Sequence, residues 1–247
     1  MKMKEWTDQQ IYHYYEGIRL SDYPRIFWEK IAPYLEDCTT ITDVGCGPGA
    51  FTLIALQSGY KVQAVDISNK NLLALQEQVK MLGLEHNFTA VRGDWLDVET
   101  EKTDATVCAY CFGGSIGTLP GIEKVIANSR KAVFFISPVS GRQLDFDSEQ
   151  LYAKTGTKPP AYKGDYKGVV NILASLNAKA DCEIIEYDFG MPLENEDINY
   201  YALYLAEKLG INVPELVEEH IRRIKTIRNN IGWIPNKRSS AFIKYFK

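Results

Sequence analysis

From residue 40 onward, short apolar runs alternate with segments whose apolar residues recur every three or four positions. The stretch around 40–44, KVQAVDI (61–67), FTAVRGD (88–94), ATVCAYC (105–111) and KAVFFIS (131–137) are short and rich in β-branched and aromatic residues, and read as strands. Between them lie AFTLIALQS (50–58), NKNLLALQEQVKMLG (69–83) and IEKVIANSR (122–130). The second of these puts Leu72, Leu75, Val79 and Leu82 on one stripe and Gly83 past its end, the pattern of an amphipathic helix with its C-cap. Strand–helix alternation of this kind predicts an α/β fold: a doubly wound, mostly parallel sheet with helices on both faces.

The flanks break the pattern. IYHYYEGI (11–18) reads as a helix with Ile11, Tyr15 and Ile18 on one face. RIFWEKIAPYL (25–35) reads as another, starting near Ser21 and Asp22 and ended or kinked by Pro33. After the alternating region come a helix, YKGVVNILASLNA (166–178), a strand, CEIIEYDF (182–189), and a last strand, SSAFIKYF (239–246). A hairpin between those two strands needs only a few residues. The intervening segment is far longer and reads as mainly helical, including PELVEEHIRRIKTIRNN (214–230), so it is a candidate cap. The expected organisation is a single domain over 1–247: an N-terminal helical lid (1–38), a Rossmann-like core (39–191), a helical insertion or cap (192–236) and a final strand (237–247).

Composition narrows the function. The 247 residues carry a net charge of −4, so no global field favours nucleic acid or an anionic membrane. The five cysteines are odd in number and lack framework spacing, which points to a reducing compartment. MKMKEWTDQQ has no apolar core, and no apolar run approaches the roughly 20 residues of a membrane span. The expectation is a cytoplasmic protein without nucleic-acid or membrane partners; its oligomeric state stays open.

The chemistry begins at ITDVGCGPGAFT (41–52). Gly45, Gly47 and Ala50 satisfy the G-x-G-x-x-G/A pattern of dinucleotide sites, and Asp66 follows at the end of the second strand, where a carboxylate accepts ribose hydroxyls. Three details point away from a pyrophosphate. Asp43 would repel one and attract an amino group. Pro48 removes an N–H from the turn. Asp94 in RGDW (92–95) falls where a carboxylate takes an adenine amino group. DVGCGPGAFT, VQAVDIS and VRGDW together resemble the first three cofactor motifs of the class I S-adenosylmethionine (SAM)-dependent methyltransferases, over roughly residues 40–137. The resemblance implies a seven-stranded sheet with an antiparallel last strand, SAM as cofactor and methyl transfer as activity. It places Gly45, Cys46, Gly47 and Gly49 near the methionine end, Asp43 near its amino group, Asp66 with Ile67 at the ribose, Asp94 with Trp95 at adenine, and Tyr110 facing the methyl group.

No acceptor site is legible as a motif. Many relatives show Asn/Asp-Pro-Pro-Tyr after the fourth strand; this chain has CAYCFGGSIGT (108–118). Cys108 and Cys111 are three apart and on a strand point to opposite faces, so no metal site is expected. Cys111, with Tyr14 and Tyr15 from the aromatic stretch 12–28, is a candidate to line the acceptor site; His13 reads as structural. Arg222, Arg223, Lys225, Arg228, Lys237 and Arg238 form a basic cluster, either a solvated face or an anion-binding wall. His220, on the same segment, has no evident partner. Catalytic residues stay unknown. A small-molecule acceptor is expected; an NAD(P)-dependent oxidoreductase, a non-catalytic SAM-binding protein and an RNA or protein methyltransferase remain alternatives.

Overall fold

Along Ser129–Pro138 the side chains of Ala132, Phe134 and Ile136 enter one apolar cluster and those of Val133 and Phe135 another. That period of two is what a strand buried on both faces produces. In the computed structural model, which describes residues 5–139, 144–161, 164–193 and 198–247, this strand is β5 of a seven-stranded sheet. The others are β1 (Thr40–Val44), β2 (Lys61–Asp66), β3 (Phe88–Arg92), β4 (Thr103–Ala109), β6 (Ala180–Asp188) and β10 (Lys237–Phe246), in the order β3-β2-β1-β4-β5-β10-β6. All pairings are parallel except those of β10, which runs antiparallel to both β5 and β6. The order reverses beside β1, so the carboxyl ends of β1 and β4 flank a crevice where such sheets bind ligands.

One face carries α2 (Arg25–Ile31), α3 (Ala50–Gln57) and α4 (Asn69–Met81), with Phe27, Ile31, Leu75 and Val79 packed on Phe134 and Phe242. The other carries α5 (Leu119–Asn128) and α7 (Tyr166–Ser175), with Ile122, Val125 and Leu173 against Phe135 and Ile243. The expected α4 stripe is buried at Leu72, Leu75 and Val79, but Leu82 caps the helix and is exposed. Pro24 rather than Ser21 or Asp22 caps α2, and Pro33 ends it in a 3-10 turn.

A third cluster lies above the sheet. It joins α6 (Glu149–Thr155), α8 (Ile198–Leu209) and α9 (Pro214–Ile224) to a small antiparallel sheet, order β7-β9-β8, of β7 (Met191–Leu193), β8 (Thr226–Arg228) and β9 (Ile231–Ile234). The insertion is thus helical only in part. The helix read over 214–230 stops at Ile224, and the β-favouring Thr226-Ile227-Arg228 pairs with β9. Residues 144–155, which the sequence pattern did not assign to the cap, belong to it through Phe146, Leu151 and Tyr152. Residues 1–4 of the expected lid and 194–197 of the expected cap lie outside the described residues.

The first helix, α1 (Asp8–Leu20), starts in a capping box: Thr7 Oγ1 accepts from Gln10 N–H at 3.2 Å and Gln10 Oε1 from Thr7 N–H at 2.9 Å. It buries Ile11, His13, Gly17 and Leu20; of the Ile11–Tyr15–Ile18 face read from the sequence, Ile11 is buried and Tyr15 and Ile18 are half-buried. Gly17 explains the rotation. A Cβ there would stand 2.9 Å from the Phe189 ring and 3.1 Å from Gly190 O, so α1 lies directly on the segment entering β7.

Candidate functional site

The turn from β1 to α3 needs its glycines for two different reasons. Gly45, Gly47 and Gly49 all have positive φ (+68°, +54° and +94°). A Cβ on Gly45 would strike Cys111 Cβ at 2.4 Å, and one on Gly49 would strike Leu75 Cδ1 at 2.3 Å. A Cβ on Gly47 would meet nothing within 4 Å. Its open side is part of a cavity of about 420 Å³.

Two carboxylates brace this turn. Asp66 Oδ2 accepts from Gly47 N–H and Oδ1 from Ser68 N–H, each at 2.8 Å. Burial raises the Asp66 carboxyl above its ordinary value, and these bonds pull against the shift. Asp43, 3% exposed, receives Thr52 N–H at 2.9 Å and Thr52 Oγ1–H at 2.7 Å, both on Oδ2. No ion pair to Asp43 exists among the described residues. Burial pushes its carboxyl up to about 7, with Thr52 opposing and the Asp66 charge adding.

The cavity continues from the turn under α1 and the cap. Tyr14 and Tyr110 line it, as do Tyr23, Tyr187 and Phe189. Tyr110 takes φ +57° at the end of β4, and its hydroxyl bonds the hydroxyls of Tyr187 and, at 2.7 Å, Ser240. Burial raises the Tyr14, Tyr23 and Tyr110 phenols, so they stay protonated donors at neutral pH. Tyr15 does not line the cavity. Its hydroxyl donates to Pro48 O at 2.9 Å and ties α1 to the glycine turn. Tyr15→Phe is expected to lower melting stability by about 1 kcal/mol and to raise hydrogen exchange across α1; unchanged exchange would show that the tether does not hold the helix.

Other candidates lie elsewhere. Asp66, Ile67, Asp94 and Trp95 are outside the cavity lining. Ile67, 46% exposed next to Asp66, offers an uncovered apolar surface at the crevice rim. Asp94 Oδ1 accepts Leu96 N–H at 3.0 Å, whereas the Trp95 side chain is buried and donates to Gly121 O at 3.0 Å. Cys111 sits beneath Gly45, not on the cavity wall. The strand ends at Ala109, and the left-handed Tyr110 turns the chain back, so the Cys108 and Cys111 thiols are neighbours and do not point to opposite faces. Both are free thiols. Among the described residues no group of three or more His, Cys, Asp or Glu is placed to hold a metal ion.

The basic cluster disperses. Arg222 pairs with Glu218 at 2.7 Å, Arg228 with Asp188 at 3.0 Å, and Lys225 and Lys237 are exposed. Arg223 donates to Gln150 and to His220 Nδ1. His220 is buried and bonds Phe146 O through Nε2 at 2.7 Å, a partner the sequence did not suggest. Only Arg238 lines the cavity, joined by Lys208, Asp145 and Phe146, none of them anticipated. Lys208 carried a readable signal: it continues the apolar stripe of Ile198, Tyr201 and Leu205, an odd place for a charge.

The residues present fit the expected cofactor. A buried carboxylate with no paired cation suits its ammonium, and the bare side of Gly47 leaves room for its chain. Residues 41–133 match a family described as "Methyltransferase domain". An uncharacterized protein of Haemophilus influenzae is 29% identical over 151 residues, 61% of this chain and 54% of that protein. Glycine N-methyltransferase of Rattus norvegicus is 25% identical over 205 residues, 74% of this chain and 68% of that protein. The match thus spans only about half the length of the first relative. A Haemonchus contortus phosphoethanolamine N-methyltransferase, solved with S-adenosylhomocysteine, shares the fold at TM-score 0.57 and 15% identity, over 98% of this chain and 57% of that one. In its matched domain, its three motifs and its β3-β2-β1-β4-β5-β10-β6 sheet with antiparallel β10, the chain is similar to the class I SAM-dependent methyltransferases.

Proposed function

We propose that this protein transfers the methyl group of SAM to a small-molecule acceptor held under α1 and the cap. The observation that carries this reading is the continuity of the cavity. One space of about 420 Å³ touches Asp43 and Gly47 at the turn and Tyr204 and Lys208 on α8. That is near the low end of the roughly 300–1,000 Å³ range of small-molecule sites. A protein or RNA acceptor would need an open groove. The curated relatives support this reading, since they include glycine N-methyltransferases, named for a small acceptor.

In this reading residues 1–38 act as a lid and 192–236, with 144–155, as a cap. Asp43 would hold the cofactor's amino group, Gly45, Cys46, Gly47 and Gly49 its methionine chain, Asp66 with Ile67 its ribose, and the Asp94–Trp95 segment its adenine. The bound sulfonium supplies an activated methyl carbon. The chain's own contribution is alignment and exclusion of water. Tyr14, Tyr23, Tyr110 and Phe189 surround the space with rings, whose faces favour a cation. The raised phenols donate hydrogen bonds and do not serve as bases at neutral pH. The free thiols suit a cytoplasmic setting, and among the described residues no helix is long and apolar enough to cross a membrane.

Incubation with SAM and a panel of small amines, acids and hydroxy compounds should yield S-adenosylhomocysteine and a methylated product with at least one of them. Methylation confined to RNA or protein would overturn the acceptor assignment, and binding of NADH without SAM would overturn the cofactor role.

A further inference from the structure

We propose that the acceptor carries a compact oxyanion, a carboxylate or a phosphate monoester, and that Lys208 and Arg238 receive it on the cap side of the cavity. This rests on the small-molecule reading above and adds the acceptor's charge to it.

Asp145 and Phe146 line the cavity. Phe146 and Asp147 hold left-handed φ of 59° and 55°, a conformation that costs a non-glycine residue energy and needs a surrounding frame. The frame is present. Phe146 N–H donates to Asn236 Oδ1 at 2.9 Å, and Phe146 O meets His220 Nε2 at 2.7 Å. Burial lowers the His220 pKa, which keeps the ring neutral, and its other nitrogen faces Arg223. Asn236 is fully buried and also reaches Asp145. These contacts come from α9 and from the link between β9 and β10, so the cap is built to fix this short segment.

What the segment fixes is a charge cluster on the cavity wall. Asp145, 5% exposed, pairs with Arg238 at 3.0 Å. The Arg238 guanidinium also stacks over Phe189 at 5.4 Å, which orients its planar fork. Lys208 stands 5.0 Å above the Phe146 ring and makes no ion pair or hydrogen bond with any described residue. Asp145 and Arg238 are near enough to act on Lys208 in opposite senses. Among the described residues, the charges acting on this wall are the Lys208 and Arg238 cations and the Asp145 carboxylate. Burial pulls the Lys208 ammonium down to about 8, the direction expected where countercharge is lacking.

A planar fork and a point charge side by side are suited to a small oxyanion: the guanidinium supplies paired donors and the ammonium supplies charge. The ring-lined remainder of the cavity has no comparable positive group among the described residues, so the anion would fix which end of the acceptor points toward the turn.

The test uses the full-length protein saturated with S-adenosylhomocysteine and titrated separately with inorganic phosphate and with acetate, followed by NMR shifts of cavity residues. At least one anion should bind saturably. Lys208→Met should weaken that binding about tenfold or more, as loss of a charge-assisted contact does, while Lys208→Arg retains most of it. S-adenosylhomocysteine affinity should not change in either variant. Phosphate binding alone assigns a monoester acceptor, acetate binding alone a carboxylate, and binding of both supports the shared subsite. If the cofactor product binds but neither anion does, or if Lys208→Met binds the anion as well as the wild type, the subsite is refuted. If the cofactor product itself fails to bind, it is the methyltransferase reading that falls.

Discussion

Gly47→Val should abolish SAM binding measurable by calorimetry while leaving a folded protein. The three glycines of the turn make this a controlled comparison. A Cβ at Gly45 or Gly49 would collide with Cys111 or Leu75 within 2.4 Å, so Gly45→Ala and Gly49→Ala should lose stability through packing. A Cβ at Gly47 would meet nothing within 4 Å beyond its chain neighbours, and the expected stability cost is the backbone term alone, about 1–2 kcal/mol for a side chain held at φ +54°. Valine adds branched atoms to the space the methionine chain would occupy. A loss of affinity of about a hundredfold or more, some 3 kcal/mol, is expected. A Gly47→Val protein that melts near the wild type and binds SAM normally would make the turn purely structural.

The second large effect is expected at Asp43, with stability and binding moving in opposite directions. Its carboxyl sits near 7 when buried without a countercharge. The unfolded chain ionises it near the ordinary value of 3.8, so the ligand-free protein loses stability as pH rises between these two values and gains no more penalty above the higher one. Asp43→Asn keeps an oxygen for the Thr52 donors and removes the buried charge. Ligand-free Asp43→Asn should therefore be at least as stable as the wild type at pH 8 and show a flatter stability profile from pH 5 to 8. Its SAM affinity should fall by about 2–4 kcal/mol, because the cofactor's ammonium would lose a buried carboxylate partner. Wild-type affinity should rise with pH up to about 7 and then level, since binding favours the ionised form. Asp66, Cys46 and Tyr14 also face this site, and burial raises all three, so loss of the step in Asp43→Asn is what assigns it to Asp43. Equal affinity in the two proteins would remove Asp43 from the cofactor site.

The core was legible because its signals are local. A strand buried on both faces must be a continuous apolar run, and 131–137 is one; the turn must have glycines, and 45, 47 and 49 are glycines. The acceptor side was not legible, because it is assembled from distant pieces. Asp145, Tyr187, Lys208 and Arg238 come from four segments and meet only once β6 and β10 pair and the cap folds over them. Arg238 was visible as a charge but not separable from its neighbours until Arg222 and Arg228 found partners of their own. The face of α1 was misread because its closest contact is made by Gly17, which carries no hydrophobic signal. The Cys108–Cys111 pair was misread because one left-handed residue, Tyr110, ends the strand early.

In the proposed arrangement the cofactor crevice and the space beneath α1 and the cap are one chamber, closed over a small acceptor. Hydrogen exchange with and without S-adenosylhomocysteine tests it most directly. The glycine turn should contact the cofactor whether the acceptor is small or macromolecular, so its protection alone does not separate the two. The account predicts that protection also rises in α1, which the Tyr15 hydroxyl ties to Pro48 O, and in α8, which brings Tyr204 and Lys208 to the same cavity. Protection of residues 45–49 with no change in α1 or α8 would contradict it, and the case for a small acceptor would then give way to a macromolecular one.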